Sequence, residues 1–142
     1  MWICNRWATA SVAWAAFVLL AAAGSQAAAA SFDKLIGAWT MDGTDCAETF
    51  VMDGGHWRFK DRNSSLNTGL IVEGRAISGS YGTCKIRRIL ARNGTYAAIL
   101  ACESAVLFSE FTVHFRVVDD THFARFDPDF PEVETIYQKC QP

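Results

Sequence analysis

The chain has 142 residues, 51% of them apolar and 20% charged, with a formal net charge of -2. That composition excludes a disordered tail and a polycation that coats nucleic acid, and the length suits one domain. The averages conceal an uneven start, because residues 1–30 hold three of the five tryptophans and a single charged side chain, Arg6.

Met1 to Arg6 form a short, weakly basic head, Trp7 to Ala23 an apolar run interrupted only by Thr9 and Ser11, and Gly24 to Ala30 a small-residue zone with several Ala-x-Ala frames. This is the three-part pattern of a secretory signal peptide. The run is short for a spanning helix and lacks a basic stop-transfer flank, so cleavage is expected, with no stable membrane anchor afterwards. Residues 1–30 are then the leader and 31–142 a single domain, periplasmic or secreted. Without Arg6 the remainder carries 12 Lys and Arg against 15 Asp and Glu, a formal charge of -3, which gives no bulk electrostatic case for nucleic acid.

Beyond a possible turn at Ser31 to Leu35, the chain breaks into brief runs rich in Val, Ile, Phe, Tyr, Trp and Thr, punctuated by Gly, Asn and Asp. This rhythm predicts strands at Ile36 to Met41, Cys46 to Met52, His56 to Asp61, Leu70 to Ile77, Cys84 to Ala91, Tyr96 to Cys102, Glu110 to Val118, His122 to Phe126 and Glu134 to Cys140. Asp53-Gly54-Gly55, Asn93-Gly94 and Asp119-Asp120 supply hairpin turns between consecutive strands. In Glu110 to Val118, Phe111, Val113, Phe115 and Val117 share one face and Thr112, His114 and Arg116 the other, so one side is dry and one wet. A sheet of eight or nine such strands removes its exposed edges by closing. The expected fold is all-β, a small antiparallel up-and-down barrel of about eight strands.

Cys4 departs with the leader, leaving Cys46, Cys84, Cys102 and Cys140, an even number in a small exported chain. No Cys-x-x-Cys pair is present, against a zinc knuckle or a thioredoxin-like redox centre. Cys84 and Cys102 lie nearly symmetrically about Asn93-Gly94, which favours a bridge across that hairpin. Cys46 then pairs with Cys140, fastening the first strand of a closed meander to the last.

Leu35-Ile36-Gly37-Ala38-Trp39-Thr40 places Gly-x-Trp at the head of the first strand. Here the chain resembles the calycin group of up-and-down barrels, which includes lipocalins. Leu-x-Gly-x-Trp followed shortly by a cysteine, here Cys46, also resembles the small periplasmic metalloprotease inhibitors of bacteria, although the later cysteine spacing departs from theirs. The match spans about a dozen residues and implies a barrel more than an activity.

A catalytic reading would rest on His56, His114 and His122 with nearby acids such as Asp53, Asp120 and Glu110, but no nucleophile motif accompanies them, and surface histidines are the plainer account. The histidines show no paired ligand spacing, and Asp127-Pro128-Asp129 lacks the glycine and terminal glutamate of a calcium loop, so neither metal nor cofactor is expected. Residues 58–92 carry eight basic groups against two acids, while residues 93–142 carry three against eight. Arg58, Lys60, Arg87 and Arg88 are therefore candidates for a partner-docking wall, with cross-strand pairing to acidic neighbours as the simpler reading. Trp39, Trp57, Phe59, Tyr81, Tyr96, Phe111 and Phe115 are candidates to line a cup for a small apolar ligand, or else fill the core. The leading expectation is an exported, non-enzymatic binding protein, taking a small apolar ligand in the barrel or an envelope or secreted protein at its rim. A protease inhibitor acting through Ser31 to Leu35 stands second, and a small secreted hydrolase is a remote third.

Overall fold

The dry and wet faces of each segment decide how the sheet bends. The computed structural model describes residues 32–62, 64, 68–104 and 106–142. The expected leader, its cleavage zone and Ser31 lie outside the described residues. In the first strand, β1 (Gly37–Met41), Trp39 and Met41 turn into the principal core, whereas Ala38 turns outward into a second cluster. The same alternation recurs in β4 (Leu70–Glu73), β5 (Ala76–Ser78), β6 (Thr83–Arg92), β7 (Thr95–Glu103), β8 (Phe108–Val117), β9 (His122–Asp127) and β10 (Phe130–Lys139). These eight strands close a barrel in the order β1, β10, β9, β8, β7, β6, β5, β4, antiparallel throughout, with β4 returning to pair with β1. The first and last strands are neighbours, as the closed meander requires.

Three segments differ from the sequence reading. Leu70 to Ile77, expected as one strand, is divided at Gly74, whose φ of +55° suits a residue without a β-carbon, so that Glu73 pairs with Ala76 across a tight turn. Gly74 lies between Glu73 and Arg75, and reading the apolar runs Leu70 to Val72 and Ala76 to Ile77 as one strand passes over that Glu-Gly-Arg break. Cys46 to Met52, also expected as a strand, starts with one helical turn, α1 (Cys46–Thr49), because the Asp45 carboxylate accepts a hydrogen bond from the Ala47 N–H at 2.7 Å and caps it. The strand proper is β2 (Phe50–Asp53), paired only with β3 (His56–Phe59). The last strand starts at Phe130 rather than at Glu134, with an irregularity between those two residues that keeps β9 and β10 paired on either side.

The β2–β3 hairpin is not part of the barrel wall. Phe50 packs with Ala38, Ile71 and Cys140, and Trp57 and Phe59 flank that cluster, so the hairpin covers the outside of the β1–β4 seam. After β1 the chain folds back along the outer wall, where the Thr44 carbonyl accepts from Thr40 Oγ1 at 3.1 Å and from Gln138 Nε2 at 3.2 Å. That return brings Cys46 to Cys140, and their disulfide ties the start of the excursion to the end of the last strand. Cys84 and Cys102 sit directly opposite each other on β6 and β7 and form the second disulfide. Both pairings agree with the sequence argument.

One end of the barrel is closed. Residues 32–35 make a helical turn that buries Phe32 and Leu35, and the Leu35 carbonyl accepts the Trp39 indole N–H at 2.7 Å. Lys34 pairs with Asp120 at 2.8 Å, and Lys139 donates to the Lys34 carbonyl at 3.0 Å, fixing this turn to the β8–β9 turn and to the end of β10. Gly37 has φ of +132°, and a β-carbon there would lie 3.0 Å from Lys139 Cε. The glycine of Gly-x-Trp thus lets the chain leave the floor turn and enter β1 beside Lys139. Among the described residues, no helix is long and apolar enough to cross a membrane.

Candidate ligand-binding cavity

Inside the barrel lies a cavity of about 570 Å³, within the range of small-molecule sites. Phe32, Leu35, Phe115 and Phe123 form its floor, Val72, Ile77 and Leu100 stand in its walls, and Gly79, Ser80, Tyr81 and Gly82 face Ser104 and Leu107 across its mouth. The Cys84–Cys102 disulfide is itself part of the wall. The rim is apolar as well as open: Tyr81 is 82% exposed, and Leu107 and Phe111 are also well exposed beside Val106 and Phe108. Exposed aromatic and aliphatic groups clustered at a cavity mouth are characteristic of a surface that meets an apolar molecule or partner.

The floor owes its order to aromatic packing. Trp39, 1% exposed, meets Phe123 edge-on at 4.9 Å, Phe123 stacks on Tyr137 at 4.7 Å, and Tyr96 stacks on Phe115 at 5.2 Å. Of the seven aromatic residues singled out from the sequence, Tyr81, Phe111 and Phe115 line the cavity. Trp39 and Tyr96 belong to the core that supports it, and Trp57 and Phe59 pack outside the barrel under the hairpin. Sequence reasoning missed Phe32, Leu35, Leu100, Phe123 and Tyr137, and it also missed Arg125. The signal was present for Arg125: in His122 to Phe126 it occupies the same face as Phe123, where the pattern calls for an apolar residue.

Among the described residues lining this cavity, Arg125 is the only Lys or Arg and Glu103 the only Asp or Glu. Several other charged groups are paired away from the cavity, among them Lys34 with Asp120, Arg58 with Asp53 and Arg116 with Glu134. Arg116 reaches across the fully buried Ala124 to Glu134 with two hydrogen bonds of 2.8 and 2.6 Å, because Arg116 and Ala124 are paired across β8 and β9 and Ala124 is paired with Ile136 on β10. This contact raises the Arg116 pKa and holds the Glu134 carboxyl below its ordinary value.

The four basic candidates for a docking wall fall into two places. Arg58 lies on the outer hairpin, bound to Asp53 at 3.0 Å, and Lys60 follows it, while Arg87 and Arg88 are exposed on β6 at a bulge. Arg75 fills that bulge, its guanidinium donating to the carbonyls of Ile86 and Arg87. Arg62 likewise serves the mouth, donating to the carbonyls of Gly79 and Gly82 and to Thr83 Oγ1.

The three histidines are dispersed. His56 is exposed 3.6 Å from Glu73, His114 packs its ring near Phe126 on the outer wall, and His122 sits beside Asp119 in the β8–β9 turn. The Thr121 hydroxyl and N–H, with His122, pull the Asp119 pKa down to about 2. Asp53 and Asp120, two of the acids named beside the histidines, are bound to Arg58 and Lys34, and Glu110 stands on β8. Among the described residues, no group of three or more His, Cys, Asp or Glu is placed to hold a metal. No known protein family, curated protein or solved structure matches the chain.

Proposed function

We propose that this chain is an exported binding protein that takes a small, largely apolar molecule into its barrel and carries out no chemistry on it. The observation that carries the reading is the cavity of about 570 Å³, walled by aliphatic and aromatic side chains, sealed at the Trp39 end and open at an apolar rim. Two disulfides, bonds that persist in an oxidising compartment, accord with a working place outside the cytoplasm. The closed antiparallel barrel behind Gly37-Ala38-Trp39 supports kinship with calycin-type binders. An inhibitor acting through residues 31–35 would have to withdraw Phe32 and Leu35 from the core and break the hydrogen bond between Trp39 and Leu35, so that segment supports the cavity reading better.

The test is binding of an uncharged apolar fluorophore, N-phenyl-1-naphthylamine, to the native protein. Its emission rises on entry, and Leu100→Trp, which places an indole in the cavity, abolishes the rise while far-ultraviolet circular dichroism is retained. Absence of any rise with the native protein, or a rise unchanged in Leu100→Trp, refutes the proposal.

A further inference from the structure

Two polar side chains that line the cavity make no hydrogen bond to another side chain or carbonyl among the described residues. Tyr137 is 5% exposed and lines the cavity, and its hydroxyl makes no hydrogen bond among the described residues. Its oxygen is nevertheless not sealed off, since no buried side-chain nitrogen or oxygen among the described residues lacks a partner. Arg125 lines the same cavity and makes neither a hydrogen bond nor an ion pair among the described residues. The register joins the two: Phe123 pairs with Tyr137 and Arg125 with Thr135, so Arg125 and Tyr137 are diagonal neighbours on one face of the β9–β10 ladder. Diagonal residues of this kind stand roughly 7–8 Å apart at the backbone, within reach of long side chains.

The nearby acids do not answer the cation. Asp127, the next position on the Arg125 face of β9, accepts the Asp129 N–H at 2.9 Å within its own turn. Glu103 stands at the end of β7, seven residues beyond Tyr96, which shares a register row with Phe115 and Arg125. At strand spacing that separation is on the order of 20 Å along the sheet. Arg125 is exposed where it lines the cavity, so its guanidinium stays hydrated at rest and is free to turn toward an anionic group held inside. The guanidinium and a phenolic O–H together offer the charge and hydrogen bonds that a carboxylate takes up.

We propose, on the basis of the cavity reading above, that the ligand is an amphipathic carboxylate whose head is held by Arg125 and Tyr137. Its apolar chain lies against the opposite half of the barrel, on Ile77, Leu100 and the Cys84–Cys102 disulfide. The head group thereby fixes the orientation, and the walls supply sequence-independent apolar contact.

The experiment is displacement of N-phenyl-1-naphthylamine from the native protein by dodecanoate and by dodecan-1-ol, which share a chain and differ in the head. Dodecanoate displaces the probe about ten- to a hundredfold more tightly, the range expected for charge-assisted hydrogen bonds. Arg125→Gln removes that preference and leaves dodecan-1-ol unchanged. Arg125→Lys, which keeps the charge, retains part of it, and Tyr137→Phe weakens dodecanoate alone by a smaller factor. Equal displacement by acid and alcohol, or an acid preference that survives Arg125→Gln, overturns the anchor while leaving the cavity reading intact. Failure of the probe itself to bind the native protein overturns both.

Discussion

The two disulfides enclose very different lengths of chain, and that difference makes a quantitative prediction. Cys46 and Cys140 are 94 residues apart, and Cys84 and Cys102 are 18 apart. Constraining the unfolded chain by loops of these lengths corresponds to about 4.7 and about 3.2 kcal/mol at room temperature, a difference of about 1.5 kcal/mol. Packing losses largely cancel, because each bridge joins one buried cysteine, Cys140 or Cys102, to one half-buried cysteine, Cys46 or Cys84. The double variants Cys46→Ala/Cys140→Ala and Cys84→Ala/Cys102→Ala therefore lose stability in that order in urea titrations. Against total stabilities of roughly 5–15 kcal/mol for domains, either loss is large. Under the proposed binding role the ranking for probe binding is the opposite: of the two bridges, Cys84–Cys102 belongs to the cavity wall, so its removal perturbs probe binding more. If Cys84→Ala/Cys102→Ala proves the more destabilised variant, the view that these bridges act chiefly by constraining the unfolded chain is refuted.

Two further outcomes follow from the closed end of the barrel. Trp39→Ala removes the largest fully buried side chain and the indole donor to Leu35, so urea titration shows a loss of about 3–5 kcal/mol, and a loss under 1 kcal/mol would contradict its place in the floor. The Asp119 carboxyl, whose pKa is lowered from 3.8 to about 2, titrates by carbon-detected nuclear magnetic resonance near 2 in the folded protein. Because the folded value lies below the unfolded one, the stabilisation of the β8–β9 turn is complete above pH 3.8 and is lost as pH falls through about 2. Thr121→Ala, which deletes the hydroxyl donor, moves the midpoint back toward 3.8, and an unmoved midpoint would exclude Thr121 as the main cause.

How much of this was legible in the sequence depends on whether one strand suffices to define a feature. Phe111 to Val117 shows its alternation within a single segment, and Cys84 and Cys102 flank a turn whose residues announce it, so the barrel and one bridge could be read locally. The closure of β4 onto β1 is a contact between separated segments, and no local pattern distinguishes it from a sheet that runs through β2 and β3. Trp57 and Phe59 alternate as well as any barrel strand, but the periodicity cannot say that the dry side faces the outer wall instead of the interior. Phe32 and Leu35 carry too short a pattern to announce burial, and their role follows only from the hydrogen bond between Trp39 and Leu35 and the ion pair between Lys34 and Asp120.

The open interior is a consequence of where side-chain volume is spent. An eight-stranded barrel is just wide enough for its inward residues to fill it when those residues are large throughout. Here the bulk is concentrated at one end, where Trp39, Tyr96, Phe115, Phe123 and Tyr137 pack in contact. Toward the mouth, several lining positions are given to smaller groups, among them Cys84, Cys102, Ser109, Gly79 and Gly82, while the large side chains there, Tyr81, Leu107 and Phe111, are exposed at the rim. A wall with empty space on one side forgoes the dispersion contacts that a packed core would give it. The Cys84–Cys102 bridge lies in that wall and joins β6 to β7 covalently beside the cavity, while the hairpin carrying Phe50 supports the β1–β4 seam from outside. Cross-linking and external packing thus offset the stability given up by leaving the interior open, and the seam and the cavity wall are where the chain places its two disulfides.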